Sequence, residues 1–285
     1  MSQSIKQIKN RIRSVENTKK VTGAMQMISV VKLNRIQARL LALRPYAARL
    51  ENLMHDLANA SGRAPSGYFN QREDVPGSIL VLFAADNGLC GLYNQNVMSL
   101  AQEFLEKNKA KKIKLILIGQ KGASYFKNRP VEILNTYTGL NGKFDPDFCD
   151  KTTQQLSDLF LSGQAGSVHL AYTYFKNSLI QKPVLEQFLS IPPRPGKAIE
   201  YIAEPDLASI LADLIPQYLK VKLQLVLLES LTSEHAARTV SMKTATDNAK
   251  ELLDGLVLFR NKVRQAGITQ DILEITSSAE ALRSG

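Results

Sequence analysis

Apolar residues are spaced most regularly at the two ends of the chain. From Gln217 to Leu282 there is no proline, and the only glycines are Gly255 and Gly267. Ala245, Ala249, Leu252, Leu256, Phe259, Val263 and Ala266 recur at alternating spacings of four and three. That is an unbroken a/d stripe, which packs one helix along another. At 1.5 Å per residue the segment would span on the order of 100 Å, far more than an average globular helix. It needs a partner of comparable length, or it must project into something else.

The N-terminus supplies such a partner. Ile5, Ile8, Ile12 and Val15 repeat at three, four, three, and so do Leu33, Ile36, Leu40 and Leu43, followed by Ala47, Leu50, Met54 and Leu57. Pro45 would kink this helix or open a new one. Antiparallel pairing of the two stripes brings Ile5 to Phe259, Ile8 to Leu256, Ile12 to Leu252 and Val15 to Ala249, with Lys19 facing the small Ala245. The alternative is an all-α bundle, but no third long heptad segment exists to complete it.

Between the ends the period changes. Ile79–Ala85 and Ile113–Ile118 are short continuous apolar runs, as in strands buried on both faces. Val131–Leu134, Val168–Phe175 and Pro183–Leu189 read as further strands. Asn94–Lys107, Gly119–Lys127 and Pro146–Leu161 read as helices between them. Strands alternating with helices imply a mostly parallel sheet with helices on its faces. The expected class is therefore α/β: a long antiparallel coiled coil of terminal helices with an inserted Rossmann-like α/β domain. The expected segments are 1–59 helix, 60–77 linker, 78–195 α/β domain, 196–216 connector and 217–285 helix.

Charge sharpens the reading of the N-terminal helix. Before Leu50 there are eleven Lys and Arg against one acid, Glu16, whereas from Gln217 onward the balance is nine to eight. The net charge of +10 therefore sits on one helix, which suits an anionic partner: nucleic acid, an acidic lipid surface or an acidic protein surface. No apolar run approaches the ~18 residues of a membrane span, and the first residues lack the apolar core of a signal peptide. Cys90 and Cys149 form no CxxC, and His55, His169 and His235 have no metal-ligand spacing.

Candidate chemistry in the middle region is thin. GQKG (Gly119, Gly122) follows a strand where dinucleotide folds hold pyrophosphate, but it lacks the third glycine of GxGxxG, and close helix–strand packing explains it as well. DNGLCG, from Asp86 to Gly91, resembles a phosphate loop only in outline, and there is no GxxxxGK[ST]. Cys90 has no neighbouring histidine in sequence. Neither a cofactor nor a small-molecule substrate is indicated. A basic coiled-coil arm binding nucleic acid and an α/β nucleotide enzyme with a helical extension stand as alternatives. The first lacks interleaved aromatics and an RNA-binding signature.

Several stretches resemble the gamma subunits of F-type ATP synthases. They are IKNRIRSVENTKKVTGAMQMISVVKL from Ile8, ADNGLCGLYN from Ala85, FKNS from Phe175, YIAEPD from Tyr201, SEHAARTVSMKTATDNAKEL from Ser233, and NKVRQAGITQDILEITSSAEAL from Asn261. They cover the chain in order. The family usually has Ser at Ala85, Ala at Gly267, Glu at Asp271 and Gly at Ser278. Gly267 inside a helix costs roughly 0.8–1.0 kcal/mol relative to Ala.

The resemblance implies an antiparallel coiled coil standing inside a ring of three alpha and three beta subunits, with its base on a membrane rotor ring and the epsilon subunit. It implies a non-catalytic rotating shaft that couples ion flow to ATP synthesis or hydrolysis, with no nucleic-acid partner. The place implied is the cytoplasmic face of a bacterial inner membrane, bound peripherally. Arg264 and Gln265 match positions that hydrogen-bond a beta-subunit loop. Lys19, Lys20 and Met25 match shaft positions beside an acidic beta loop. Tyr201, Glu204 and Pro205 match the foot. The coil core read from the apolar spacing is Ile5, Ile8, Ile12, Val15, Ala249, Leu252, Leu256 and Phe259.

Overall fold

The computed structural model describes residues 2–60, 67–69, 75, 77–109, 112–192, 194 and 203–283. The elements in chain order are α1 (Ser2–Ala60), β1 (Ser78–Phe83), α2 (Tyr93–Lys107), β2 (Ile113–Ile118), α3 (Gln120–Phe126), β3 (Glu132–Tyr137), α4 (Pro146–Leu161), β4 (Ser167–Phe175), β5 (Gln181–Leu189) and α5 (Leu207–Arg283). They form two compact units: residues 29–238, and residues 1–28 with 239–285.

The larger unit is built on a five-stranded sheet of order β3-β2-β1-β4-β5. β1 pairs in parallel with β2 and β4, and β3 pairs in parallel with β2. β5 returns antiparallel to β4. The alternation of side chains across a strand divides the apolar runs between two layers. Ile79, Val81, Phe83, Ile116, Ile118, Val168 and Leu170 enter a core with Leu33, Ile36, Leu40 and Leu50 of α1, Leu156 and Phe160 of α4, and Leu219, Leu223 and Val226 of α5. Leu80, Leu82, Leu115, Leu117 and Ala171 enter the other core, with Val97, Met98 and Ala101 of α2 and Phe126 of α3. Continuous burial of all six residues of β1 follows from this three-layer arrangement.

Parts of both terminal helices thus belong to the α/β unit, and the segment boundaries differ from those expected. α1 continues through Pro45 to Ala60. Burial of Leu40, Ala47, Leu50, Met54 and Leu57 along one face outweighs the roughly 3 kcal/mol that an internal proline costs. α5 begins ten residues before Gln217 and contains Pro216. Its start is set by Asp206, whose Oδ1 accepts hydrogen bonds from the Ala208 and Ser209 amides, both at 2.9 Å, as an N-cap side chain does.

The smaller unit pairs the first part of α1 with the last part of α5, antiparallel. Ile12, Leu253 and Leu256 are buried together, with Ile8, Val15 and Val257 packed against them. Thr246 Oγ1 donates to Thr22 Oγ1 at 2.8 Å. On α5, Met242, Thr246, Ala249, Leu253, Leu256, Arg260 and Val263 are buried or half-buried, again at alternating four and three. Leu252 and Phe259 are 44% and 54% exposed, which corrects their placement in the seam. Two stripes of equal period share Ala249, Leu256 and Val263. Counting apolar residues selects the stripe with Leu252 and Phe259. The fold uses the other, which takes a threonine pair and the stem of Arg260.

Candidate functional site

In an open parallel sheet, ligands bind at the carboxyl ends of the strands, where the strand order reverses. Here the order reverses between β1 and β4; beside that point, the crevice at the carboxyl ends of β1, β2 and β3 is filled by the chain's own polar groups. The Asp86 carboxylate accepts from the Gln120 amide at the start of α3 at 3.0 Å, and from the Gly139 and Asn141 amides at 3.2 and 2.6 Å. An internal carboxylate thereby sits where a dinucleotide fold would hold phosphate. Across the crevice the Arg238 guanidinium donates to the Gly88 and Asn87 carbonyls at 3.2 and 3.1 Å and pairs with Glu234 at 2.7 Å. His235 Nε2 lies 3.2 Å from the Gly142 carbonyl, and Arg238 lies 3.3 Å from His235 Nδ1. The space left between Phe83, Asp86, Gly119, Leu231 and Glu234 is about 10 Å³, room for one water at most.

The glycines of GQKG serve packing. A Cβ on Gly122 would lie 3.2 Å from Ala84 Cβ. One on Gly119, which has φ +102, would lie 2.1 Å from the Ala84 carbonyl oxygen. Cys90 is buried and accepts from Asn94 Nδ2 at 3.2 Å. Burial pushes its thiol up, away from the thiolate a nucleophile needs. Burial and the nearby Asp150 and Asp145 carboxylates push Cys149 up to about 12.

A second polar cluster ties α5 to α1 and to the end of β4. Glu229, 3% exposed, accepts from Arg44 Nε at 2.9 Å, from Arg44 Nη2 at 2.9 Å and from the Phe175 amide at 2.8 Å. Arg44 also donates to the Phe175 carbonyl and lies 5.1 Å from the centre of the Tyr174 ring. Burial raises the Glu229 carboxyl, opposed by the Phe175 amide and by Arg44.

The exposed surface of the smaller unit has the opposite character. Arg264 and Gln265 are exposed. From Ile268 to Arg283 every residue of α5 is exposed, including Ile272 at 56%, Ile275 at 69% and Leu282 at 85%. No stretch of this chain covers them among the described residues. On α1, Lys20 is exposed, Lys19 and Met25 are half-buried, and Val21, Met27 and Ile28 are exposed. Stepping from the Thr22–Thr246 pair places Lys19 beside Ala249, about 20 Å along α5 from Arg264, so these site residues form two places. Glu204 and Pro205 are exposed just before α5, while Tyr201 lies outside the described residues. Sequence reading singled out none of Arg44, Glu229, Glu234 and Arg238. Buried ion pairs in helices carry no periodic signal of their own, so spacing alone does not separate these four from the exposed charges around them.

A family model described as ATP synthase matches residues 4–282. The ATP synthase gamma chain of Moorella thermoacetica is 38% identical over 281 residues, covering 98% of this chain and 99% of that one. The ATP synthase gamma chain of Salinibacter ruber is 34% identical over 302 residues, covering 98% of each. The chain belongs to the ATP synthase gamma chain family. A chain in the rotor of Euglena gracilis mitochondrial ATP synthase, at 14% identity, shares the fold with a TM-score of 0.64 over 94% of this chain and 100% of that one. The family-like stretch from Ser233 to Leu252 does two jobs in this chain. Glu234, His235 and Arg238 close the sheet crevice, and Thr246 and Ala249 lie in the coil seam.

Proposed function

We propose that the chain is the central rotor shaft of an F-type ATP synthase, coupling transmembrane ion flow to ATP synthesis or hydrolysis in a surrounding alpha/beta ring. The observation that carries this reading is the end of α5: a long helix whose last sixteen residues are exposed, with Ile268, Ile272, Leu273, Ile275 and Leu282 among them. Such a surface belongs inside a partner. A single chain has no threefold symmetry, so three equivalent catalytic subunits around it meet three different faces. Turning the shaft then exchanges the states of the three sites.

The chain contributes no catalytic group in this reading. Its α/β unit has the form of a nucleotide fold, but Asp86 and Arg238 occupy the crevice that a nucleotide would need. Arg264 and Gln265 present a guanidinium fork and an amide to a beta-subunit loop, where paired charge-assisted bonds form. The basic face with Lys19 and Lys20 lies against an acidic beta loop. Glu204 and Pro205, with Tyr201, form the foot toward the epsilon subunit and the membrane ring. Among the described residues no helix is long and apolar enough to cross a membrane, so attachment to the cytoplasmic face of the bacterial membrane runs through that ring.

The test is composition and turnover of the assembled complex. Purification through a tag on this chain should recover one copy with three each of two nucleotide-binding chains, and labelled ATP should bind those chains and not the isolated one. Saturable ATP binding by the isolated chain would contradict the reading.

A further inference from the structure

A shaft is useful only if twist in its helices reaches the body attached to them. α1 and α5 are the two helices that pass from the smaller unit into the larger one. Within the larger unit most of their contact with the sheet is apolar: Leu33, Ile36 and Leu40 of α1, and Leu219, Leu223 and Val226 of α5, against Val81, Phe83, Val168 and Leu170. Apolar contact is non-directional and offers little resistance to small sliding or rotation.

The Glu229 carboxylate is different. It receives two N–H bonds from Arg44 of α1 and one from the Phe175 backbone of β4, while Arg44 donates to the Phe175 carbonyl. One buried carboxylate therefore joins both helices and the central sheet through directional bonds. A buried ion pair of this kind is weak evidence for stability, since apolar residues of similar volume often replace it without loss. Its geometric constraint is what an apolar pair cannot supply.

We propose that Arg44 and Glu229 form a torsional clamp, positioning residues that lock α1 and α5 to the sheet so that the α/β domain turns with the shaft. The proposal rests on the rotor reading above. The test uses the assembled complex, its alpha/beta ring fixed to a surface, with a gold rod on a cysteine at the exposed Asn128 and with Cys90 and Cys149 replaced by serine. Arg44→Met combined with Glu229→Leu removes the directional bonds and keeps an apolar pair. The thermal midpoint of this variant should fall, because the Phe175 amide and carbonyl lose their partners, while its ATPase rate should stay close to the parent's. The angular variance of the rod at the ATP-waiting dwell should widen by about twofold or more, because the remaining contact is non-directional. Arg44→Lys, which keeps charge and loses the fork, should fall between the two. A parent rod that rotates, with the same variance in the parent and in the Arg44→Met/Glu229→Leu variant, overturns the clamp. A parent rod that never rotates during hydrolysis overturns the rotor reading itself.

Discussion

Thr22 and Thr246 face each other across the coil with their hydroxyls 2.8 Å apart. One heptad outward in opposite directions from this pair lie Val15 and Leu253, which share a buried cluster with Ile12 and Leu256. The coil is therefore shifted by about one helical turn from the Val15–Ala249 and Ile12–Leu252 pairing expected from apolar spacing. Disulfide trapping checks this in a background with Cys90 and Cys149 changed to serine. Val15→Cys with Leu253→Cys should oxidise readily, because a bridge needs Cα atoms within about 7 Å. Efficient closure of Ile12→Cys with Leu252→Cys in its place would restore the earlier register.

His235 makes the stability of the α/β unit depend on pH. Burial pushes its ring down to about 4, with Arg238 and Lys32 adding to the shift and the Gly142 carbonyl opposing it. The folded value lies below the unfolded one near 6.5, so this contribution is complete above about pH 6.5 and is lost as pH falls toward 4. The shift corresponds to about 3 kcal/mol. Chemical denaturation at pH 7 and pH 4 should show His235→Gln losing less stability across that interval than the parent. Parallel loss in the two proteins would mean that His235 does not set the dependence.

Glycines 119 and 255 should respond to alanine in opposite directions. At Gly119 a Cβ meets the Ala84 carbonyl oxygen at 2.1 Å and the backbone has φ +102, so Gly119→Ala should destabilise by at least about 3 kcal/mol. At Gly255, inside α5, nothing lies within 4 Å of the added atom. Gly255→Ala should stabilise the helix by about 0.8–1.0 kcal/mol, read as slower amide exchange from Glu251 to Arg260. Faster exchange there would show that the site is not free for a methyl group.

Arg264 is exposed, so its removal should leave the isolated chain unchanged. Loss of a charge-assisted pair with a partner is worth about 1.5–3 kcal/mol, so Arg264→Ala should lower ATPase of the assembled complex by about tenfold or more. Unaltered turnover in a complex shown to be intact would remove Arg264 from the interface.

The strands and the short helices were legible because the larger unit is a three-layer sandwich. Burial on both faces makes β1 and β2 continuous apolar runs, and Pro146–Leu161 is bounded by its own capping Asp145. The terminal helices were legible as helices but not in their limits. Pro45 and Pro216 are breakers by local rule, and tertiary packing overrides them. The seam on α5 was misread because Thr246 and Arg260 are polar members of a buried stripe. The closure of the crevice was not legible at all. Asp86 meets amides 34 to 55 residues away, and Arg238 meets carbonyls 150 residues away, distances over which sequence spacing carries no signal.

Whether this chain turns inside its partners is the direct measure of the account. With the alpha/beta ring fixed to a surface and a gold rod on Asn128→Cys, addition of ATP should drive unidirectional rotation with three dwells per turn, matching three catalytic sites around one asymmetric shaft. A complex that hydrolyses ATP at its full rate while the rod stays stationary would contradict it.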